Sequence, residues 1–317
     1  MTTAHLVDNL IERQLQQWPL ARDNYAALEH VALRAVTLSG SEVILQHNPA
    51  RRRSSAARVD AASLAGRPCF LCRENQPDKQ EHIAWRETYK IQINPYPIFP
   101  RHLTIASLSH TPQLLFPPER LNHLLDLAEE LPEWVLFYNG PRAGASAPDH
   151  MHFQAACAGY MPLPEQALNP ALWPEQALLE SNDDGFIGFT RQLGRPLFLI
   201  RCERKELAGF YLARLQLAMR MALDHEPEPM QNLLCWQTGE YTNVAVLPRV
   251  KHRPDCFGEE TGQMLLSPGA VDMAGLWCIA RQTDFDALTA ERIQSLYDEL
   301  CPDNAAIAAI VDKFYQT

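Results

Sequence analysis

The sequence predicts an α+β fold of two tandem modules, each an antiparallel sheet with a packed helix, the second stripped of the chemistry of the first. Three observations lead there. The order strand, strand, helix, strand, strand runs through residues 89–154 and again through residues 186–247. A stretch with prolines at 162, 164, 170 and 174 separates the two runs and reads as a crossover, dividing the chain into residues 1–165 and 166–317. The last strand of the first run carries His150 and His152, whereas residues 241–247 contain no histidine.

Composition narrows the class. With 317 residues and 46% hydrophobic content the chain has material for a substantial core. A formal net charge of −10 argues against nucleic acid as a partner, because such affinity rests on clustered Lys and Arg. Any phosphate site must therefore be local. No apolar run approaches the ~18 residues of a membrane span, and the opening Met-Thr-Thr-Ala-His-Leu-Val-Asp lacks a secretory pattern. The eight cysteines are scattered apart from one Cys-x-x-Cys, so a reducing cytoplasm is the expected location.

Taken in order, residues 5–18 set Leu6, Leu10, Ile11, Leu15 and Trp18 at helical spacing. Residues 32–38 and 42–46 flank Ser39-Gly40-Ser41 as a hairpin. Arg51-Arg52-Arg53 is the densest basic cluster; it reads as a solvated loop or as a phosphate contact through Arg51 and Arg53. Cys69 and Cys72 have the spacing of half a tetrahedral metal site, or are a reduced, metal-free pair. Residues 89–93 and 103–106 alternate as strands. Between them Pro95, Pro97 and Pro100 impose a rigid loop in which Asn94 is a ligand contact or a turn cap. Residues 118–131 carry a leucine stripe, and residues 134–138 form the strand before the histidines. In the second half, residues 186–191 and 196–202 pair about Gly194, residues 206–223 are helical, and residues 231–236 and 241–247 pair about Thr238-Gly239-Glu240. Two later segments, residues 249–254 with Lys251, His252 and Arg253, and residues 266–272, bind a sugar or phosphate or are ordinary surface loops. Residues 276–281 read as a strand, and 286–300 and 305–315 as helices.

The stretch that concentrates chemistry is 139–154. Asn139 and a small-residue turn with Gly140, Gly144 and Ser146 run into His150, Met151, His152, Phe153 and Gln154. Such a turn offers backbone N–H groups and a hydroxyl to phosphate. On a strand His150, His152 and Gln154 share one face, so three polar heads are expected to converge on one volume.

His150-Met-His-Phe-Gln-Ala, with the preceding Gly-Ala-Ser, resembles the signature of the histidine-triad superfamily. The resemblance is to the branch in which glutamine replaces the third histidine: galactose-1-phosphate uridylyltransferase, diadenosine tetraphosphate phosphorylase and GDP-hexose phosphorylases. It rests on specific motifs over residues 45–160 and on element order elsewhere. It implies two histidine-triad-like modules, the second degenerate, and a nucleotidyltransferase or phosphorylase acting on a nucleotide-sugar or dinucleoside polyphosphate. His152 is the implied nucleophile, Gln154 a hydrogen-bond donor to phosphate, Arg51, Arg53 and Asn94 nucleotide contacts, and a phosphate the acceptor. The resemblance also implies a structural zinc ion on Cys69, Cys72, His110 and His150, with His82, His102 or His123 as substitute ligands, and a homodimer. Ser146 lies four residues before His150, one more than that pattern. A hydrolase using the same intermediate and a non-catalytic, zinc-stabilised nucleotide-binding protein are the alternatives. Glutamine favours a phosphate acceptor over water, because an amide donates a hydrogen bond without shuttling a proton.

Overall fold

The computed structural model describes residues 2–52, 56–57, 59–225 and 227–317. In chain order the elements are α1 (Thr3–Gln17), α2 (Pro19–Ala26), β1 (Ala32–Leu38), β2 (Ser41–His47), α3 (Ala61–Ala65), β3 (Ile83–Trp85), β4 (Tyr89–Ile93), β5 (His102–Ser107), α4 (Glu119–Glu130), β6 (Trp134–Asn139) and β7 (His152–Cys157). There follow α5 (Pro162–Gln166), β8 (Leu178–Asn182), β9 (Gly185–Thr190), β10 (Leu197–Cys202), α6 (Lys205–Leu223), β11 (Gln231–Thr238), β12 (Tyr241–Pro248), α7 (Ala270–Met273), β13 (Leu276–Ile279), α8 (Gln282–Ala287), α9 (Ala290–Leu300) and α10 (Asn304–Phe314). Among the described residues no helix is long and apolar enough to cross a membrane.

The repeat read from the sequence is present, and the two modules share one sheet. Ten strands run in the order β3-β4-β5-β7-β6-β11-β12-β10-β9-β8, so the second five mirror the first about the seam between β6 and β11. That seam is antiparallel, with Asn139 opposite Asn232 and Leu136 opposite Cys235. Two hairpins follow their turn chemistry. Ser39 and Gly40 both take positive φ between the paired Leu38 and Ser41, and Gly239 takes positive φ between Thr238 and Tyr241. The hairpin of β1 and β2 is joined by β13, which pairs in parallel with β2 to make a separate three-stranded sheet.

Strand alternation divides the side chains of the large sheet between two layers. Tyr89, Ile91, Ile93, Leu103, Ile105, Leu136, Tyr138, Phe153, Leu233, Val244 and Phe198 pack with residues of α1, α4, α6 and α10 in one core. On the opposite face the second module is sealed. Leu199, Leu234, Ala245 and Leu247 pack there against Val43 and Leu45 of β2, Trp277 of β13 and Leu296 and Tyr297 of α9. On the first module the same cluster takes in Phe99, Val135, Phe137 and Ala156, while Gln92 of β4, Thr104 of β5 and Gln154 of β7 face a cavity.

A buried carboxyl fastens the modules. Glu228, in the loop before β11 and 6% exposed, accepts hydrogen bonds from Tyr138 Oη of β6 (2.7 Å) and from the N–H of Leu115 (2.7 Å). Burial outweighs these donors and the Arg120 cation and pushes its carboxyl up to about 7. A raised carboxyl pKa contributes stability that is full below the unfolded value, near 4.5, and is lost as pH rises through 7. Glu228→Gln is therefore expected to leave stability at pH 4.5 little changed and to raise it by about 2–3 kcal/mol at pH 8. Urea melts of both proteins at the two pH values check this; an equal effect at both would remove the carboxyl from the account.

Candidate functional site

The open face of the first module is a cavity of about 510 Å³. A polar row crosses its floor, because register sets Gln92 of β4 opposite Thr104 of β5, Thr104 opposite Gln154 of β7, and Gln154 opposite Phe137 of β6; all four line the cavity. His152, Arg51, Asn94, Asn139, Gly144, Ser146 and Arg253 line it as well. Most of the residues read from separate stretches of sequence therefore meet in one place.

The three polar heads of 150–154 do not converge. The strand begins only at His152, and His150, in the bend before it, turns the other way. His150 Nδ1 lies 3.3 Å from Cys69 Sγ and 3.5 Å from Cys72 Sγ, while His110 Nδ1 lies 3.2 Å from Cys72 Sγ. One ligand atom from each of these four residues falls within 4.8 Å of every other, a donor set suited to a metal ion. The Nε2 of His150 lies 2.8 Å from the carbonyl of Ser107, so Nε2 holds the proton and the Nδ1 lone pair faces the thiols. His102 and His123 are elsewhere: His102 on the cavity side of β5, and His123 edge-on against Trp85 and Tyr89.

His152 is oriented entirely by main chain and one amide. Its Nδ1 lies 2.8 Å from the carbonyl of His150; since a carbonyl only accepts, Nδ1 carries the proton and Nε2 keeps its lone pair. Burial, followed by the neighbouring His150, pushes the imidazole down to about 4, so it is neutral near pH 7. Paired bridging of β6 and β7 runs from Trp134 with Cys157 to Phe137 with Gln154, and the next pair is replaced by a side chain. Gln113, fully buried, accepts from the N–H of His152 (2.7 Å) and donates to the carbonyls of His152 (3.0 Å) and Asn139 (2.9 Å). The strands separate around this amide, and the 140–149 turn leaves from the gap.

A second tautomer lock sets Gln154. The N–H of Ile98 donates to His102 Nδ1 (3.2 Å), which leaves the proton on Nε2, 3.0 Å from Gln154 Oε1. With its oxygen accepting, Gln154 has only its NH2 group left to offer a ligand. Burial first, then the Arg51 charge, pushes His102 down to about 3 and keeps it a neutral donor.

The turn is held from behind. Gly144 takes φ +92°, and a Cβ there would meet Gly269 Cα at 2.5 Å, so only glycine lets the turn press against the 268–269 backbone. Its N–H points to His252 Nδ1 (3.4 Å), and His252 is not among the lining residues. Lys251 pairs with Asp255 and Glu299 and is not among the lining residues either. Asn139 spends its Oδ1 on Asn232 Nδ2 (2.9 Å) and the N–H of Ala270 (2.6 Å). Asn94 both lines the cavity and caps its turn by accepting from the N–H of Tyr96 (3.0 Å). Arg53 lies outside the described residues.

Charge on the lining is positive although the chain is acidic. Arg51 donates to the carbonyl of Tyr96 (2.6 Å), and Arg253 to Ser267 Oγ (2.9 Å) and the carbonyl of Ala57 (2.6 Å). Arg67, which sequence reasoning missed, pairs with Asp149 (3.0 Å) and leaves Nη1 buried without a partner among the described residues. Asp272 is the one carboxylate on the described lining, and its oxygens accept from the N–H groups of Gly269 (2.8 Å) and Cys278 (3.0 Å).

Residues 10–157 match a family described as a domain of unknown function, DUF4922. No curated protein matches the chain. Among solved structures the chain is similar to yeast Ap4A phosphorylase Apa2 in complex with Ap4A, at a TM-score of 0.58 and 16% identity, covering 92% of this chain and 97% of that one. The same enzyme in complex with AMP gives 0.56 and 15%, covering 91% and 96%. At these identities the likeness establishes the fold: two histidine-triad-like modules in tandem.

The Gln113 amide carries a measurable load. Gln113→Leu would strand one buried N–H and two buried carbonyls at the β6–β7 gap, so a loss of about 2–4 kcal/mol is expected. A denaturant midpoint within experimental error of the wild type would show that the gap does not depend on this amide.

Proposed function

We propose that the chain is a nucleotidyltransferase or phosphorylase that works through a nucleotidyl group carried on His152. The observation that carries the reading is the orientation of His152: a neutral imidazole with Nδ1–H held on the His150 carbonyl and the Nε2 lone pair free, on the wall of a cavity with arginines. In the first step that lone pair attacks the α-phosphorus of a nucleoside diphosphate ester or dinucleoside polyphosphate. An N–P bond forms, the bridging P–O bond breaks, and its electron pair leaves with the phosphate group. In the second, an oxygen of an acceptor phosphate attacks phosphorus and the N–P pair returns to Nε2. The positive charge gained by the ring in between is stabilised by the His150 carbonyl. The NH2 of Gln154 and the guanidinium groups of Arg51, Arg67 and Arg253 are suited to the charge on the phosphoryl oxygens. A solved relative of the same fold holds AMP or Ap4A, which supports a nucleotide as the ligand.

The four-residue cluster fits a structural zinc ion. Tetrahedral zinc with sulfur at about 2.3 Å and nitrogen at about 2.0 Å sets its ligands roughly 3.3–3.8 Å apart; three of the sulfur–nitrogen pairs here measure 3.2–3.5 Å, and all four ligand atoms lie within 4.8 Å of one another. Two thiolates and two imidazoles complete its coordination, so its contribution is to fix Cys69, Cys72, His110 and His150 to one another.

Two experiments test these readings. Intact-protein mass spectrometry after incubation with ADP-, GDP- and UDP-sugars and dinucleoside polyphosphates should show a nucleoside monophosphate adduct, absent in His152→Ala and discharged by orthophosphate. Failure to label with every donor would sink the covalent mechanism, and discharge by water alone would make the enzyme a hydrolase. Elemental analysis of the purified chain should find about one zinc per molecule, lost in Cys72→Ser, with a chelator lowering the Tm. A metal-free protein of unchanged Tm would mean that the cluster is a packed thiol–imidazole pair.

A further inference from the structure

Two buried polar atoms on the cavity wall have no hydrogen-bond partner among the described residues: Arg67 Nη1 and Gln92 Oε1. The first is a cationic donor and matches the phosphate chemistry already assigned to the cavity. The second is of the opposite kind. Gln92 is 1% exposed, and its carboxamide oxygen is an acceptor that calls for a donor from whatever fills the cavity.

Its position is set by the sheet. Gln92 lies two strands from Gln154, roughly 10 Å across, and His152 lies a further two residues, roughly 7 Å, along β7. Side chains reaching inward from those points are separated by about the span of a nucleoside from its 5′ phosphorus to the far edge of its base. The 94–96 loop that continues β4 adds Pro95 and Tyr96 to the lining, and Trp18, Pro77 and Gln80 complete an apolar and amide wall. The lining's one described carboxylate, Asp272, is engaged by two backbone N–H groups of the second module.

We propose that Gln92 reads the nucleobase, an inference that rests on the cavity being a nucleotide site. A carboxamide offers one acceptor beside one donor, which complements a base edge with one donor beside one acceptor, as in adenine, cytosine and uracil. Guanine adds a second adjacent donor that the amide leaves unpaired, whereas a carboxylate accepts both. Gln92 therefore selects against guanine.

The test is direct binding of AMP, UMP and GMP, by calorimetry, to the wild-type chain and to Gln92→Leu and Gln92→Glu. The wild type should prefer AMP or UMP to GMP by about tenfold or more; Gln92→Leu should weaken the preferred nucleotide by about ten- to a hundredfold and flatten the difference. Gln92→Glu should turn the preference towards GMP. Should that variant fail to fold, by its melting curve, the leucine variant decides alone. A wild type that prefers GMP, or a leucine change that leaves all affinities unaltered or weakens all three equally, overturns the role of Gln92 while leaving the nucleotide site intact. A wild type that binds none of the three overturns the nucleotide reading and this inference together.

Discussion

The site depends on His150 being used twice. Its imidazole faces two thiols in the Cys69, Cys72, His110 and His150 cluster, while its carbonyl takes the Nδ1 proton of His152. One peptide unit thus ties the loop that follows β5, the Cys-x-x-Cys loop and the proposed nucleophile. A rotation of the 149–151 backbone would both withdraw a ligand and free the His152 ring to flip. Because Ser107 holds the far nitrogen of His150, the end of β5 shares in the same constraint.

The mirror arrangement of the sheet gives the two modules equivalent faces that the chain uses differently. Each half offers the same alternation, with one face on the helices and one face away from them. In the second half, the outer face meets β2, β13 and α9 and is filled with Val, Leu, Trp and Tyr side chains. In the first half, Val135, Phe137 and Ala156 of the equivalent face belong to the same apolar cluster, whereas Gln92, Thr104 and Gln154 line the cavity. The second module is not idle: its Arg253 and residues 266–272 line the cavity, and Arg249 fastens the segments that carry them. Arg249 is fully buried and donates to Asn232 Oδ1 (2.8 Å) and to the carbonyls of Pro268 (3.0 Å), Lys251 (2.9 Å) and His252 (3.2 Å). The degenerate half acts as a brace for the other.

How much of this could be read from sequence depends on the range of the interaction. Period-two patterns marked β4, β5 and β10 to β12, and the leucine stripe marked α4, because those signals lie within a few residues. The same alternation, followed across register, places Gln92, Thr104 and Gln154 on one face, a row visible in the strand patterns once their pairing is known. The joining of β6 to β11 and the parallel pairing of β13 with β2 left no local trace, since each links segments about a hundred residues or more apart. Arg67 and Gln113 were illegible for the same reason: each is a polar residue in an irregular stretch whose partners are main-chain or loop groups brought near only by the finished fold. The ion pairs of Lys251 were illegible too, since Glu299 lies far along the chain.

Burial sets the charge state of the cavity as much as any residue does. His102, His152 and His252 are held neutral near pH 7, each chiefly by desolvation, so the positive field falls to arginines, which burial does not discharge. A neutral imidazole keeps the lone pair that nucleophilic attack requires, whereas a protonated one has none to give. The arrangement has a thermodynamic cost at low pH. A histidine whose folded pKa is depressed contributes stability above its unfolded value of 6.5, and loses it as pH falls towards the folded value, about 3 for His102 and about 4 for His252. Glu228, with its raised pKa, acts in the opposite sense, opposing the folded state as pH rises. The buried acid and the buried bases therefore act against each other as pH rises towards 7, and at pH 7 itself His152 is neutral while its arginines remain charged.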